Sequence, residues 1–158
     1  MASSEKNLSS YKESNIANMT NKRFAIIVSE WNDSVTEALY DGAYNTLREN
    51  GVPKDNIIRK NVPGSFELSL AAQWVANEKY IDAVICLGCV IQGETKHFDF
   101  ICNAVANGLT NVGLKFNKPV IFGVLTPNSQ QQALDRAGGK HGNKGDEAAI
   151  TAIKMLGF

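Results

Sequence analysis

Four short apolar runs, separated by segments of helical periodicity, most strongly constrain the fold of this chain. The runs are RFAIIVSE (23–30), NIIRKNV (56–62), DAVICLGCV (82–90) and KPVIFGVLT (118–126). The last two runs are typical of strands that are covered on both faces, and the alternation of the four runs with helices is the pattern of parallel βα units. The sequence therefore predicts an α/β fold, a three-layer α/β/α sandwich with a four-stranded parallel sheet.

The segments between the runs carry apolar residues at intervals of three and four, as amphipathic helices do. The first predicted helix starts at a capping box formed by Ser34 and Glu37 and ends at Gly51. Further helices are predicted over residues 68–75, 98–112, 129–137 and 146–156. The glycine-rich AGGKHGNKG separates the last two; it is either a simple bend or a segment that carries cations toward a phosphate.

Length and charge limit the class of protein. A chain of 158 residues is about the size of one domain, which we place at residues 22–158, after a flexible polar tail at residues 1–21. Lys and Arg number 16, as do Asp and Glu, so neither nucleic acid nor an anionic membrane is an expected partner. The N-terminal segment lacks the apolar core of a signal peptide, which favours a cytoplasmic location.

The three cysteines are Cys86, Cys89 and Cys102. The CLGC motif resembles a metal or redox pair, but residues three apart on a strand face opposite sides, so Cys86 and Cys89 would not converge on one ion. Reduced, buried thiols are the prediction, with no metal site.

In a parallel sheet, ligands bind beyond the carboxyl ends of the strands. The segments that follow the four strands are EWND, VPGSFE, IQGETKH and LTPNSQ. They offer flat aromatic faces (Trp31, Phe66), hydrogen-bonding groups (Asn32, Ser65, Glu67) and the polar start of a helix (Glu94, Thr95, His97), with the cations Arg136 and Lys144 further along. This set favours a site for a phosphorylated small molecule, although each residue also has an ordinary structural role open to it and the reaction stays undetermined.

Several motifs in one order, VPGSFEL, LGCVIQGETKHFDF, KPVIFGVLT and RAGGKHGNKG after EWND, resemble the lumazine synthase family of riboflavin biosynthesis. The resemblance covers residues 23–158. It implies a transferase that condenses 5-amino-6-(D-ribitylamino)uracil with 3,4-dihydroxy-2-butanone 4-phosphate to 6,7-dimethyl-8-ribityllumazine, phosphate and water. It implies no metal or organic cofactor.

The resemblance also implies a role for each residue of the site. His97 would transfer protons, and Arg136 would be the cationic partner of the phosphate. Phe122 would close the pocket from a neighbouring subunit. The other residues implied in substrate binding are Trp31, Ser65, Phe66, Glu67, Cys89, Val90, Ile91, Glu94 and Thr95. Family members form pentamers with sites between subunits, and some assemble twelve pentamers into an icosahedral shell. The compact GGKHGNKG turn favours the 60-subunit shell, and riboflavin synthase is a candidate protein partner.

Three departures and two alternatives accompany this interpretation. Trp31 replaces the usual Phe and suits a flavin as well as a pyrimidine. Gln92 stands where many members carry a basic residue. Glu94 is acidic, so its contribution to a phosphate site is assigned to its backbone N–H.

One alternative function is that of a non-catalytic flavin-binding or shell-forming protein. The joint presence of His97 and Arg136 argues against it. The other, a sugar-phosphate aldolase, would usually require a catalytic lysine or a metal ion at the site, and neither is among the predicted site groups.

Overall fold

The computed structural model describes residues 18–158. Residues 1–17, which make up most of the predicted tail, lie outside the described residues. The packed part of the chain begins before the first strand, because Met19 is only 1% exposed and lies in the core.

The described chain forms a four-stranded sheet, a small two-stranded sheet and five α-helices. The strands are β1 (Phe24–Ser29), β2 (Ile57–Val62), β3 (Ala83–Cys89), β4 (Val120–Leu125), β5 (Ala137–Gly139) and β6 (Gly142–Asn143). The helices are α1 (Asp33–Glu49), α2 (Leu68–Ala76), α3 (His97–Phe116), α4 (Gln130–Leu134) and α5 (Lys144–Leu156).

The larger sheet is parallel throughout, with strand order β2-β1-β3-β4. The predicted three-layer α/β/α sandwich is confirmed. Phe24 at the start of β1 pairs with Ile57 on one side and with Ala83 on the other. Because the chain moves outward from β1 first to one side and then to the other, the topological switch point lies between β1 and β3.

Alternate residues of the strands enter two separate apolar layers. Ile26 and Val28 pack with α1 and α5, whereas Ala25 and Ile27 pack with α2 and α3. The two cysteines of CLGC follow the same alternation, since Cys86 belongs to the second layer and Cys89 to the first. The prediction that they face opposite sides of the sheet is therefore confirmed.

All three thiols are free in the structure. Burial raises the pKa of Cys86 and Cys102 above the ordinary thiol value, and it raises the pKa of Cys89 to about 11. Within residues 18–158 there is no group of three or more side chains of the metal-binding types. No helix in the same range is long and apolar enough to cross a membrane.

The predicted capping box at the start of α1 was wrong. The N-cap residue is Asn32, whose φ of 61° is left-handed, and Ser34 lies inside the helix. Glu37 does not turn back to the helix start, because it accepts two hydrogen bonds from the Arg59 guanidinium on β2, one of them at 2.9 Å. The charged hydrogen bonds from Arg59 therefore take the place of the capping contact that was predicted for Glu37.

The glycine-rich segment is a short hairpin rather than a simple bend. β5 and β6 pair antiparallel, and Gly138 (φ 105°) and Gly142 (φ 75°) adopt backbone conformations that favour glycine. The hairpin shortens the predicted helix 129–137, which ends at Leu134. It also moves the start of the last helix forward from 146 to Lys144.

Helices α1 and α5 approach closely beside this hairpin. The Asn143 side chain donates to the carbonyl of Ala38 at 2.8 Å and accepts from the backbone N–H of Gly145 at 2.8 Å. Gly145 lies against the Leu39 carbonyl, where a methyl group would overlap the oxygen. The α1–α5 contact therefore requires glycine at this position.

Candidate active site

A cavity of about 760 Å³ lies at the carboxyl edge of the sheet, beside the switch point between β1 and β3. Its lining comes from the ends of β1, β2 and β3 and from the start of α3. The lining residues are Trp31, Asn32, Gly64, Ser65, Phe66, Glu67, Cys89, Val90, Ile91, His97 and Ile101. This is the position at which open parallel sheets bind small molecules.

Asn32 joins the ends of the two central strands. Asparagine tolerates the left-handed conformation better than most residues, and the Asn32 side chain donates to the carbonyl of Cys89 at 2.9 Å. The preceding backbone N–H of Trp31 donates to the carbonyl of Pro63 at 3.3 Å. These contacts fix the backbone at residues 31 and 32, and the Trp31 side chain lines the cavity with 73% of the residue exposed. A large exposed aromatic surface is available for stacking.

The segment after β2 forms the next wall of the cavity. Residues Ser65–Glu67 form one 3₁₀ turn that leads directly into α2. The Glu67 carboxylate and the Trp31 indole both approach Gly64, at 3.1 and 3.5 Å from where a Cβ would lie. Glycine at 64 therefore lets a carboxylate and an aromatic ring border the same small space.

The end of β3 contributes backbone and apolar groups. The Val90 N–H donates to the carbonyl of Leu125 at 2.8 Å, which continues the pairing with β4 beyond the strand. With its pKa at about 11, the Cys89 thiol is protonated at neutral pH and is not a nucleophile there. Cys89 and Val90 therefore shape the wall of the cavity and supply no covalent chemistry.

His97 is the first residue of α3 and lines the cavity with an exposed side chain. Its backbone N–H donates to the Thr95 hydroxyl at 3.3 Å. Glu94 and Thr95 are exposed in the segment between β3 and α3, and they are not among the lining residues. The structure thus brings His97 together with Trp31 and leaves the two polar residues beside the cavity.

Two residues expected at the site lie on a different surface of the same chain. Phe122 on β4 (42% exposed) and Arg136 after α4 line a groove of about 1400 Å³ that follows the sheet edge between α3 and α5. The Arg136 guanidinium donates to the carbonyl of Gln132 at 3.0 Å. Lys144, in the same groove, is paired with Glu147. Within one chain, therefore, neither Phe122 nor Arg136 joins the cavity of His97.

Gly64 and Ile101 line the cavity but were not among the predicted site residues. In the sequence, Gly64 lies within the strand-exit segment VPGSFE and Ile101 within the predicted helix 98–112, and neither was singled out. The position of Gly64 within the strand-exit segment VPGSFE was a usable signal. Ile101 had none, because its spacing matches that of the core residues of α3.

Together, the fold and the cavity define a class of protein. It is an α/β protein with a cavity of small-molecule size at the carboxyl edge of its sheet, bordered by an exposed aromatic side chain and an imidazole.

Comparison with known proteins specifies the family. Residues 21–158 match the family described as 6,7-dimethyl-8-ribityllumazine synthase. A protein of that name from Cytophaga hutchinsonii is 68% identical, with 99% of this chain and 98% of its own length aligned. The protein of that name from Flavobacterium johnsoniae is 56% identical, with 98% of this chain and 82% of its own length aligned. The one from Parabacteroides distasonis is 50% identical, with 100% of this chain and 99% of its own length aligned.

The chain belongs to the 6,7-dimethyl-8-ribityllumazine synthase family, an enzyme family of riboflavin biosynthesis. The resemblance found in the sequence motifs, and the enzymatic condensation that it implied, are confirmed at this level.

Proposed function

We propose that the cavity binds 5-amino-6-(D-ribitylamino)uracil and that the chain condenses it with 3,4-dihydroxy-2-butanone 4-phosphate to 6,7-dimethyl-8-ribityllumazine. The observation that carries this assignment is that the exposed Trp31 indole and His97 share one cavity. The indole suits a pyrimidine ring, and the Ser65–Glu67 turn offers polar groups to the ring edge and ribityl chain. Cys89, Val90 and Ile91 border the heterocycle.

The second substrate requires recognition of its phosphate. Glu94 and Thr95 precede α3, a helix of 20 residues whose first N–H groups and dipole favour an anion. The Glu94 side chain is acidic, so its proposed contribution is the backbone N–H. Arg136 adds the positive charge, supplied by a neighbouring copy of the chain because the Arg136 of the same chain lies in the separate groove.

The proposed mechanism requires few protein groups. The amine of the substrate attacks the ketone carbonyl and forms a Schiff base with loss of one water, phosphate is eliminated, and ring closure releases a second water. These steps require proton transfers and charge stabilisation, for which His97 and Arg136 suffice. Holding the two reactants side by side supplies much of the remaining acceleration, because good orientation can lower the activation free energy by about 7–11 kcal/mol.

The proposal includes a homo-oligomer whose sites lie between copies. Phe66, Leu70 and Trp74 form an exposed apolar stripe with a spacing of four residues along the 3₁₀ turn and α2. The groove along β4 displays Leu114 and Phe122. Insertion of the stripe of one copy into the groove of the next buries both surfaces and brings Phe122 and Arg136 to the neighbouring cavity.

For the assembly itself we propose a pentamer, and a shell of twelve pentamers built from it. A cytoplasmic location and riboflavin synthase as a partner complete the proposal. Sedimentation velocity tests the shell directly: 60 chains are expected in the main species, and a mass of only five chains would exclude the shell while leaving the pentamer.

The synthase activity is tested by mixing the purified protein with both substrates and following lumazine fluorescence together with phosphate release. Equal molar formation of lumazine and phosphate, proportional to protein concentration, is expected. A protein that binds the pyrimidine or riboflavin yet releases no phosphate above the uncatalysed rate would instead support the non-catalytic flavin-binding alternative.

A further inference from the structure

Two buried hydroxyl groups lie directly beneath the cavity and have no hydrogen-bond partner within residues 18–158. Ser29 is the last residue of β1 and is 0% exposed, and Ser65 begins the 3₁₀ turn and is 6% exposed. Neither Oγ atom is paired with another described group. Buried polar groups in native proteins nearly always find a partner, so this pair calls for an explanation.

Both hydroxyls converge on Gly88, the second-last residue of β3. A methyl group on the Gly88 Cα would lie 2.5 Å from Ser65 Oγ and 3.4 Å from Ser29 Oγ. The absence of a side chain at Gly88 therefore gives the two serines a common space between the strand ends and the turn. Each hydroxyl can both donate and accept, so the two groups that face this space are chemically suited to be partners of each other.

From this geometry we infer that Ser29 is a positioning residue of the substrate cavity. Its hydroxyl binds the Ser65 hydroxyl and fixes the Ser65–Glu67 turn above the ends of β1 and β3. That turn carries Phe66 and Glu67, which line the cavity, whereas His97 is held by a different element. Loss of the Ser29 hydroxyl therefore affects binding of the pyrimidine and leaves the proton-transfer step intact. The inference rests on the proposed function.

The test compares Ser29→Ala with Ser69→Ala, both measured by steady-state kinetics with the full-length protein. Ser69 is a matched control, because its hydroxyl is also buried and unpaired among the described residues, but it packs between α2 and α3 against Gly108. Ser29→Ala is expected to raise the KM for 5-amino-6-(D-ribitylamino)uracil about fivefold, the usual effect of one lost hydrogen bond, with kcat unchanged. Ser69→Ala is expected to leave KM unchanged.

A second variant separates hydrogen bonding from packing. Ser29→Cys keeps a side chain of similar shape with a much weaker donor, so it should raise KM as Ser29→Ala does. If Ser29→Ala fails to fold, the KM of Ser29→Cys tests the inference in its place. In the double variant Ser29→Ala/Ser65→Ala, KM should be no higher than in Ser65→Ala alone, because one interaction cannot be lost twice.

Three outcomes would overturn the inference: a KM for Ser29→Ala equal to that of Ser69→Ala, a wild-type KM for Ser29→Cys, or additive effects in the double variant. The wild-type protein in the same assay distinguishes the two proposals. Lumazine formation by the wild type with any of these outcomes refutes only the role of Ser29, whereas no lumazine formation by the wild type refutes the proposed function.

Discussion

At the scale of single residues, the cavity depends on side chains placed where strands end. Asn32 accepts a left-handed backbone, Gly64 leaves room for a carboxylate beside an indole, and His97 opens the helix that follows β3. None of the three belongs to the two apolar layers. Substitutions at the cavity should therefore change binding or rate more than they change the free energy of unfolding.

The first prediction concerns His97. Replacing His97 by Ala should lower kcat by about 10²-fold, which is the lower end of the usual contribution of a general acid or base, since the substrate's own amine remains the nucleophile. Measurable turnover should persist because the two reactants are still held together. Steady-state lumazine formation measures the effect.

His141 provides the matched control for that measurement. It is the second histidine of the chain and lies exposed between β5 and β6, outside the cavity. His141→Ala should keep the wild-type kcat. Equal rates for His97→Ala and the wild type would remove His97 from the mechanism.

At the scale of helices and strands, close backbone contacts fix how α5 meets α1. Gly145 is buried in the first turn of α5, and the nearest atoms to its missing side chain belong to the backbone of Leu39. A backbone atom cannot rotate away as a side chain can. The helices would have to separate to accommodate any larger residue.

Gly145→Ala should therefore lower the free energy of unfolding by about 1–3 kcal/mol, the usual cost of overpacking. Denaturant titration followed by circular dichroism measures the change. Gly93→Ala is the control, because no atom lies within 4 Å of its missing Cβ and its stability should stay close to that of the wild type. Equal stability of both variants would contradict the close α1–α5 contact.

The ion pair between α1 and β2 predicts a pH dependence of stability. Its hydrogen bonds from Arg59 lower the pKa of Glu37 below the ordinary value of 4.5. A lowered pKa in the folded state means that the pair stabilises the protein above pH 4.5 and that this stabilisation is lost as the pH falls through the folded-state pKa. The Arg59 guanidinium also lies 4.3 Å from the centre of the Tyr40 ring.

Glu37→Gln should accordingly lower the stability at pH 7 by about 0.5–1 kcal/mol, as expected for a largely exposed bidentate pair, and should have little effect near pH 3. Thermal unfolding at the two pH values measures the difference. Glu78→Gln, whose carboxylate forms no ion pair among residues 18–158, should change neither. A loss of the same size at both pH values would contradict the role of the ionised pair.

Structural elements that are determined by the residues within them, rather than by distant contacts, could be predicted from the sequence. Three of the four strands of the larger sheet were found because each is a continuous apolar run, whereas β2 carries Arg59, Lys60 and Asn61 between its apolar residues. Most strand-exit residues of the cavity follow from the positions of these strands. The hairpin was missed because strands of two or three glycine-rich residues show no apolar alternation. The cap of α1 was missed because the partner of Glu37 is Arg59, on a different element. The separation of Arg136 from His97 depends on tertiary structure, which local sequence does not contain.

At the scale of the whole molecule, the residues proposed for one reaction lie on two surfaces. The cavity holds His97, and the groove along β4 holds Phe122 and Arg136. In a ring of identical chains, each cavity can receive a groove from its neighbour, so that every site is completed by assembly. This arrangement makes a specific prediction about mixtures of variants.

Co-expression of His97→Ala with Arg136→Ala should restore activity. If His97 and Arg136 of one site come from different chains, random mixing gives about a quarter of the sites both residues, although each variant alone has none. Lumazine formation at low concentration of the phosphorylated ketone, where loss of Arg136 is most costly, measures the recovery.

The matched control is the double variant His97→Ala/Arg136→Ala co-expressed with the wild type. Sites shared between chains should again give about a quarter of the wild-type activity. Sites contained within one chain would instead give about half, and the pair of single variants would then recover nothing.

The hydrogen bond between Asn32 and Cys89 has a consequence for how the protein folds. It joins residues 57 apart in the sequence, at the ends of β1 and β3. These strands are neighbours in the sheet, although the whole of β2 and α2 lies between them in the sequence. Non-local parallel pairing is slow compared with helix formation. We therefore expect the binding site to form late in folding, so that ligand binding during refolding follows completion of the sheet and lags behind the far-ultraviolet circular dichroism signal of the helices.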